Sequence, residues 1–272
     1  MTGVEILTLG LIFTLAGISA GLIAGLLGVG GGVVIVPVMF QTFIFLDIDP
    51  SLQMHCAIAT SLAVIVVTAL QSGRTHYKAN AVDMSVIRDW APAVVMGVIA
   101  GAVLARFADA GFLKAVFGVL SLLIAIHMVF SGKQERHEAV LPSQAVQKTV
   151  AAIIGFFSAL MGIGGGTFTV VALQYFGRSI HQAVGTSAAM GFFIAFPGAI
   201  GYAIAGWGIE GLPPYSAGYV NLLALAFLLP LTSISAPWGA KLAHRFERRT
   251  LEYLFIGFLL LSAARMFWSL FG

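Results

Sequence analysis

About ten apolar segments fill most of the 272-residue chain, and short polar connections separate them. Charged residues make up 9% of the sequence, whereas an ordinary soluble domain has about 25%. So few charged side chains cannot cover the surface of a soluble protein, and most of the outer surface is therefore expected to face lipid. A helix needs about 20 apolar residues to cross a bilayer. The sequence predicts an all-α polytopic membrane protein with about eight to ten transmembrane segments.

The segments follow the same order of lengths in both halves of the chain. They lie near residues 4–27, 33–46, 53–72, 86–105 and 112–130, and then near 146–161, 167–176, 182–207, 218–240 and 251–270. The second segment of each half is too short to cross an untilted bilayer. We expect each of these two segments to begin or end inside the membrane.

Three phrases recur along the chain in the same order, which indicates a duplicated unit. GLIAGLLGVGGG at 21–32 is followed later by GFFSALMGIGGG at 155–166. The other two matches join 55–61 with 181–187 and, more weakly, 92–105 with 230–243. The predicted domains are an N-terminal transmembrane repeat at 1–130, a polar cytoplasmic linker at 131–145 and a C-terminal transmembrane repeat at 146–272.

An odd number of crossings in each half makes the two repeats inverted relative to each other. In that arrangement 11 of the 14 basic residues fall on one side of the membrane: Arg74, Lys78, Arg88, Lys133, Arg136, Lys148, Arg178, Lys241, Arg245, Arg248 and Arg249. The other side has Arg106, Lys114 and Arg265. Because cytoplasmic loops are rich in Lys and Arg, both termini are predicted to lie outside the cytoplasm.

Each half contains a glycine run after its first apolar segment, at Gly28–Gly32 and at Gly162–Gly166. No Lys-Ser or Lys-Thr follows either run and no strand precedes it, so the context excludes a phosphate-binding loop. Close helix packing is one explanation for small residues at a crossing point. However, three consecutive glycines also lose about 1 kcal/mol of helix propensity each. We expect both helices to unwind there, beside a cavity or other protein groups.

Two inverted helix breaks are typical of secondary transporters that bind substrate near the middle of the membrane. The helices that follow the glycine runs direct amide N–H groups and positive dipole ends to one point, which favours an anion. All 11 carboxylates lie at segment ends or in connections, whereas a cation site normally keeps a carboxylate within the membrane. The sequence therefore predicts a small anionic substrate, with no metal and no cofactor.

The predicted substrate-binding residues are the glycines and the polar residues that recur in both halves. They are Gly30, Gly31, Gly32, Gly164, Gly165, Gly166, Thr60, Ser61, Thr186, Ser187, Gln41 and Gln174. The hydroxyls can donate to anion oxygens, but bonding to the preceding helical turn explains each of them equally well. The two glutamines either line the cavity or cap a short helix. His55 and His181 are candidates for proton coupling, with an interfacial hydrogen-bonding role as the alternative.

These repeated phrases resemble the sulfite exporter TauE/SafE family, also called the 4-toluene sulfonate uptake permeases. The resemblance rests on GVGGGVVIVPVM with AIATS and on GIGGGTFTVVAL with AVGTS, and it covers the chain from about residue 10 to 265. The second half departs from the first by having Val171 where the first has Pro37. The resemblance implies a secondary transporter in the bacterial inner membrane that moves a small sulfur-containing anion, such as sulfite or sulfoacetate, often by export.

Other functional classes remain open at the level of the residues. An enzyme embedded in the membrane requires a nucleophile, a metal cluster or an acid–base pair within the segments, and no His-Glu or Asp-Asp constellation appears there, so an enzyme is not predicted. A passive anion channel and a carrier of a non-sulfur organic anion both fit the same inverted frame. The expected partners are the anionic substrate and the lipid bilayer. Nucleic acid is not expected, because the basic residues are scattered, and no oligomeric state is predicted.

Overall fold

The computed structural model describes residues 3–27, 31–130, 143–243 and 247–271. Its helices are α1 (Gly3–Leu27), α2 (Gly32–Phe45), α3 (Pro50–Lys78), α4 (Met84–Phe107), α5 (Ala110–Phe130), α6 (Gln144–Met161), α7 (Gly166–Tyr175), α8 (Ile180–Ala205), α9 (Leu222–Ala243) and α10 (Arg248–Phe271). A short antiparallel hairpin of β1 (Ser216–Ala217) and β2 (Val220–Asn221) precedes α9. The prediction of an all-α fold is confirmed.

Within the described ranges, eight helices are long and apolar enough to cross a membrane, which makes the protein a multi-pass membrane protein. The exceptions are α2, with 14 residues, and α7, with 10 residues. These lengths correspond to about 21 and 15 Å, which is less than the hydrocarbon thickness of about 30 Å. Both short segments of the prediction are therefore short helices, and each follows a glycine run.

The two halves pack against each other as an inverted pair. Helix α3 packs on α8 and α5 on α10, while α1 packs on α9 and α6 on α4. Gly73 of α3 lies against Ala189, and Gly198 of α8 lies against Leu62, so α3 and α8 run antiparallel. Because α3 and α8 are the third helices of their halves, this direction shows that the halves are inverted, as predicted.

Antiparallel packing of α3 and α8 also fixes the direction of the short helices. Because α8 runs opposite to α3, α9 begins on the side on which α3 begins. Helix α1 runs parallel to α9 and therefore begins on that side as well. Helix α2 ends just before α3, so it returns the chain to the side on which α1 begins. By the same reasoning, α7 returns the chain to the side on which α6 begins. Each half therefore consists of a helical hairpin with a glycine run at its tip, followed by three membrane-crossing helices.

The core lies where the two hairpins meet α3 and α8. Most of α2 and the first half of α3 are buried, whereas large apolar side chains elsewhere, such as Leu261 and Trp207, are exposed on the outside. An exposed apolar exterior is expected of a lipid-facing surface. Residues 131–142 of the predicted linker lie outside the described residues.

Several helices begin at a side-chain cap, which positions the connections at both ends of the bundle. Asp49 accepts a hydrogen bond from the Ser51 amide at 2.8 Å before α3, and Asp83 accepts one from the Ser85 amide at 3.0 Å before α4. Such caps satisfy amides that have no acceptor within the helix. They also place Asp83 where it contacts the other half of the protein.

Candidate functional site

The two glycine runs meet inside the bundle. A Cβ atom added to Gly32 would lie 2.7 Å from Ile163 Cα and 2.9 Å from the carbonyl oxygen of Gly162. Since only a hydrogen atom fits in that space, the tip of the first hairpin packs directly on the tip of the second. The expectation that the two runs lie close together is confirmed. Gly28, Val29 and Gly30 lie outside the described residues.

Non-helical backbone separates α6 from α7. Gly162 ends α6 with φ of +69°, and Gly165 precedes α7 with φ of +68°. These left-handed conformations strain any residue that carries a Cβ. Gly165 also packs against Ile194, and a Cβ there would lie 3.2 Å from Ser158 Oγ. Both the backbone conformation and the space therefore require glycine at position 165.

Three buried hydroxyl groups lie around the start of α7, and none has a hydrogen-bond partner among the described residues. They belong to Ser158, Thr167 and Thr169, and both Ser158 and Thr169 are 0% exposed. A buried polar group without a partner costs about 1–3 kcal/mol, and the first amides of a helix also lack acceptors within the helix. Ser158 Oγ and Thr169 Oγ1 lie 3.2 and 3.4 Å from the position of a Cβ at Gly165, so these two donors meet at one point, whereas Thr167 lies on another face of α7. A fourth such hydroxyl, that of Ser121, is in α5.

These three hydroxyls are not among the predicted site residues, because those are glycines and polar residues that recur in both halves. When Gly155 is aligned with Gly21, the hydroxyl residues correspond to Ala24, Val33 and Ile35 of the first half. Positions that are apolar in the first repeat and polar in the second are the sequence signal that identifies these hydroxyl residues. The polar chemistry of the site is therefore concentrated in the second half.

Ser61 and Ser187 hold carbonyl groups of the second glycine run. Ser61 Oγ donates to the Gly162 carbonyl oxygen at 2.8 Å, and Ser187 Oγ donates to the Gly166 carbonyl oxygen at 2.9 Å. Neither hydroxyl bonds to the preceding helical turn in these contacts, so each serine links a membrane-crossing helix to the break. Donation to a substrate stays a prediction for both residues.

Thr60 and Thr186 form equivalent hydrogen bonds between the halves. Thr60 Oγ1 accepts from the Asn221 amide at 3.1 Å, and Thr186 Oγ1 accepts from the Asp83 amide at 2.8 Å. Asn221 precedes α9 and Asp83 precedes α4, which are the fourth helices of their halves. We call these two contacts the cross-half bonds. Both threonines are 0% exposed, and their contact with a substrate stays a prediction.

The residues that donate the two cross-half bonds differ in charge: Asp83 is acidic and Asn221 is neutral. The Asp83 carboxylate forms an ion pair with Arg178, at 3.1 Å between Oδ2 and Nη2. Burial by itself raises the pKa of Asp83, but hydrogen bonds from Ser85 and Val86 and the Arg178 charge outweigh it and hold that pKa below its usual value. The neutral Asn221 instead caps α9 by accepting from the Ala224 amide at 2.7 Å.

Gln41 and Gln174 are exposed near the distal ends of the short helices. Gln41 accepts a hydrogen bond from Arg265 Nε at 2.9 Å. At 1.5 Å per residue, Gln41 and Gln174 lie about 13 and 12 Å along their helices from the glycine runs. Helices α2 and α7 also end on opposite sides of the bundle. The structure does not bring these two amides together or to the break.

His55 and His181 occupy different surroundings, so they are not a spatial pair. His55 Nδ1 is 3.2 Å from the Ser51 carbonyl oxygen, and Nε2 is 3.2 and 3.1 Å from the carbonyl oxygens of Ala105 and Ala108. Its ring stacks on Tyr219 at 4.8 Å between centroids. His181 is exposed at the start of α8. Only an imidazole protonated on both nitrogens donates to carbonyl groups on both sides.

Inverted halves with broken hairpins that meet tip to tip are the architecture of a secondary membrane transporter. The described residues contain no group of three or more His, Cys, Asp or Glu side chains that could hold a metal ion. The model of the sulfite exporter TauE/SafE family matches residues 13–266. The chain therefore belongs to this family, and it is a membrane transporter.

Curated relatives are similar over nearly their whole length. A probable membrane transporter protein of Haemophilus influenzae is 34% identical, over 94% of this chain and 97% of the relative. The probable membrane transporter protein YunE of Bacillus subtilis is 27% identical, over 88% and 90% of the two chains. A probable membrane transporter protein of Methanocaldococcus jannaschii is 25% identical, over 92% of each. No solved structure matches the chain significantly.

Proposed function

We propose that this transporter carries a small oxyanion and binds it at the start of α7, beside the hydroxyls of Ser158 and Thr169. The observation that carries the proposal is that these two buried hydroxyls, which lie 3.2 and 3.4 Å from the position of a Cβ at Gly165, have no partner among the described residues. The positive end of the α7 dipole and its first amides add further donors. Each charge-assisted hydrogen bond contributes about 1.5–3 kcal/mol. An oxyanion accepts several of these bonds at once.

Glycine allows a ligand to approach the backbone at this point, and the predicted Gly164, Gly165 and Gly166 form the turn into α7. Gly31 and Gly32 bring the first hairpin against the same turn. The four recurring hydroxyl residues contribute mainly as supports, because they hold carbonyl groups and helix caps around the break. Gln41 and Gln174 are not part of the proposed site.

The position of the carboxylates supports an anion rather than a cation. Among the described residues, the aspartates and glutamates with a described side chain lie at helix ends or in connections, as Asp47, Asp49, Asp83, Asp89, Asp109, Glu210, Glu247 and Glu252 do. A site for a cation normally has a carboxylate within the membrane. The substrate we propose is sulfite or a small sulfonate such as sulfoacetate, moved outward, in keeping with the description of the family as sulfite exporters.

Two variants of this function remain as alternatives, namely a passive anion channel and a carrier of a non-sulfur organic anion. Counterflow in proteoliposomes distinguishes a carrier from a channel, because unlabelled substrate accelerates uptake of labelled substrate through a carrier but not through a channel. A panel of sulfite, sulfoacetate and acetate distinguishes a sulfur-containing substrate from a non-sulfur one. Faster exchange with acetate than with either sulfur compound would favour the non-sulfur substrate.

Binding at the proposed site is tested by thermal-shift titration of purified protein. A ligand of the folded state raises the melting temperature by mass action, so millimolar sulfite or sulfoacetate is expected to stabilise the protein and choline is not. Ser158→Ala with Thr169→Val is expected to weaken the anion effect about tenfold to a hundredfold. The matched control is Ser121→Ala, which removes a buried unpartnered hydroxyl elsewhere. Equal anion stabilisation in both variants would refute the site.

The proposed location is the bacterial inner membrane, with both termini outside the cytoplasm. Support comes from the basic residues, which are concentrated in the connections that this orientation makes cytoplasmic. Asn80 and Glu210 are exposed at opposite ends of the bundle, so Asn80→Cys is expected to react only from the cytoplasm and Glu210→Cys only from outside. The native Cys56 is buried and does not interfere. Labelling in the reverse pattern would invert the topology.

His55 is our candidate for proton coupling, whereas His181 is now the control. The groups around His55 that can titrate or carry charge are Asp109, Tyr219 and Cys56. Gain or loss of a proton changes which ring nitrogen donates to the carbonyl oxygens of Ser51, Ala105 and Ala108, which alters contacts at the end of α4. We expect His55→Gln to flatten the dependence of transport on pH and His181→Gln to preserve it. Identical pH profiles in both variants would exclude coupling through His55.

A further inference from the structure

A buried cation lies beside α2, well away from the glycine break. Lys114 of α5 is 7% exposed, and its Nζ is 5.3 Å from the centroid of the Phe40 ring. A lysine near a helix end commonly extends its ammonium group to the membrane surface, but this side chain remains inside the protein. Contact with an aromatic ring stabilises an ammonium less than a carboxylate does.

Lys114 has no carboxylate partner in the part of the chain that the structure describes. The ion pairs found there, defined by N···O distances up to 4.0 Å, involve Asp83 and Asp89 instead. Asp109, at the start of the same helix, accepts from the Phe112 amide at 2.6 Å. The charged neighbour of Lys114 is another cation, Arg265 of α10. Helices α5 and α10 pack against each other, and Lys114 and Arg265 contact consecutive residues of α2, Phe40 and Gln41.

Gln41 of α2 orients the Arg265 guanidinium. The Arg265 Nε donates to Gln41 Oε1 at 2.9 Å, and no described acceptor uses the two terminal amino groups of the guanidinium. Those groups form the face with which arginine binds a carboxylate, a sulfonate or a phosphate. Phe40 and Gln41 are consecutive in α2, so this helix supplies both the ring under the ammonium and the amide that orients the guanidinium.

We infer that Lys114 and Arg265 form a second binding site, which takes an oxyanion group. An oxyanion neutralises both cations and accepts hydrogen bonds from each of them. Two sources present this chemistry at the end of the bundle: a free anion that approaches the transporter, and the phosphate of an anionic phospholipid. The site stands on its own geometry and does not depend on the proposed function of the break.

The test uses the full-length protein purified in a neutral detergent, with three variants. Lys114→Gln and Arg265→Gln each remove one cation of the site. Arg106→Gln is the matched control, because Arg106 is an exposed cation that also contacts an aromatic ring, that of Phe107 at 6.0 Å. Thermal shift with sodium sulfite or sodium phosphate, against sodium chloride at equal ionic strength, reports a free anion. Native mass spectrometry with phosphatidylglycerol reports a lipid.

At least one probe is expected to bind about ten- to a hundredfold more weakly to each of the two site variants and normally to the control. Weaker binding of sulfite or phosphate identifies a site for a free anion, and weaker binding of phosphatidylglycerol identifies a site for a lipid. Wild-type affinity of both site variants for every probe would overturn the inference. If Lys114→Gln does not fold, Arg265→Gln decides alone. The Arg265 side chain is only partly buried, so its replacement is expected to leave the fold intact.

A combined variant separates this site from the glycine break. Adding Ser158→Ala and Thr169→Val to Lys114→Gln is expected to produce additive losses of sulfite stabilisation, because independent sites add. Loss of sulfite binding in Ser158→Ala with Thr169→Val alone tests the proposed function without involving Lys114. Non-additive losses would merge the two sites into one and contradict a second site.

Discussion

The described part of the first glycine run, Gly31 and Gly32, packs against aliphatic side chains and backbone, whereas the second run has two unpartnered hydroxyl groups among its aliphatic neighbours. A Cβ at Gly31 would meet the Ile35 side chain at 2.9 Å, and a Cβ at Gly165 would meet Ile194 and then Ser158 Oγ at 3.2 Å and Thr169 Oγ1 at 3.4 Å. Ile35 and Thr169 occupy equivalent positions in the aligned repeats. The repeated glycines thus provide the same hairpin twice, but the chemistry that suits an anion is present in one copy. We propose that the second hairpin binds the anion and that the first hairpin supports it by packing against its tip.

The cross-half bonds show the same kind of difference at the two ends of the bundle. Both use a buried threonine as acceptor and the amide of a capping residue as donor. At one end the capping residue is Asp83, which is paired with Arg178, and at the other it is the neutral Asn221. The cross-half bond with the ion pair is therefore expected to respond to pH and salt, whereas the Asn221 cap itself has no charge that titrates.

The largest expected effect comes from adding one methyl group to each break. Gly165→Ala forces a side chain into a left-handed conformation and against Ile194, which is expected to lower the free energy of unfolding by about 2–5 kcal/mol. Gly31→Ala is expected to change it by less than about 1 kcal/mol, since Gly31 has φ of −55° and helical alanine is favourable. Melting temperatures in detergent measure both. Equal losses would remove the distinction between the breaks.

Exchanging the chemistry of the two breaks tests which one binds. Ile35→Thr buries a hydroxyl in the aliphatic break and is expected to cost about 1–3 kcal/mol of stability without strengthening anion binding. Thr169→Val removes a hydroxyl that has no partner, so the protein without substrate is expected to keep or gain stability while its affinity for sulfite falls. Thermal-shift titration of the two variants reports both quantities. A gain of sulfite affinity in Ile35→Thr would contradict the assignment to the second break.

Loss of either cross-half bond is expected to destabilise the protein less than Gly165→Ala does. Thr60→Val and Thr186→Val each leave a buried amide without its acceptor, which costs about 1–3 kcal/mol. Because the two bonds share neither a donor nor an acceptor, the double variant is expected to show the sum of the two losses. Melting temperatures of the single and double variants measure this. A loss in only one of the single variants would show that the two bonds are not equivalent.

The smallest effect is expected from Asp83→Asn, which keeps the cap and removes the charge. The ion pair with Arg178 is partly exposed, so it contributes about 0–1 kcal/mol. The pKa of Asp83 is below its usual value in the folded protein, so its contribution is present above the pKa of the unfolded chain, near 4. It is lost as the pH falls through the folded pKa. Melting temperatures of wild type and variant are expected to differ near pH 7 and converge in acid; a constant difference would exclude the ion pair as the cause.

The sequence is enough to predict the helical class, the duplication and the inversion, because each depends on the order of apolar segments and on repeated phrases. It also predicts the meeting of the two glycine runs. The choice of side chains at the site is less accessible to a search for repeats, since Ser158 and Thr169 are the positions at which the repeats differ. The partners of Thr60 and Thr186 come from the opposite half, and only the packed structure identifies them.

The most direct test of the account is counterflow of labelled sulfite in proteoliposomes containing wild type, Ser158→Ala with Thr169→Val, or Ser121→Ala. We predict that unlabelled sulfite accelerates exchange in wild type and in Ser121→Ala, and that exchange falls at least about tenfold in the variant of the second break. Undiminished exchange in that variant, with equal amounts of protein in the liposomes, would contradict the claim that the hydroxyls at the start of α7 bind the transported anion.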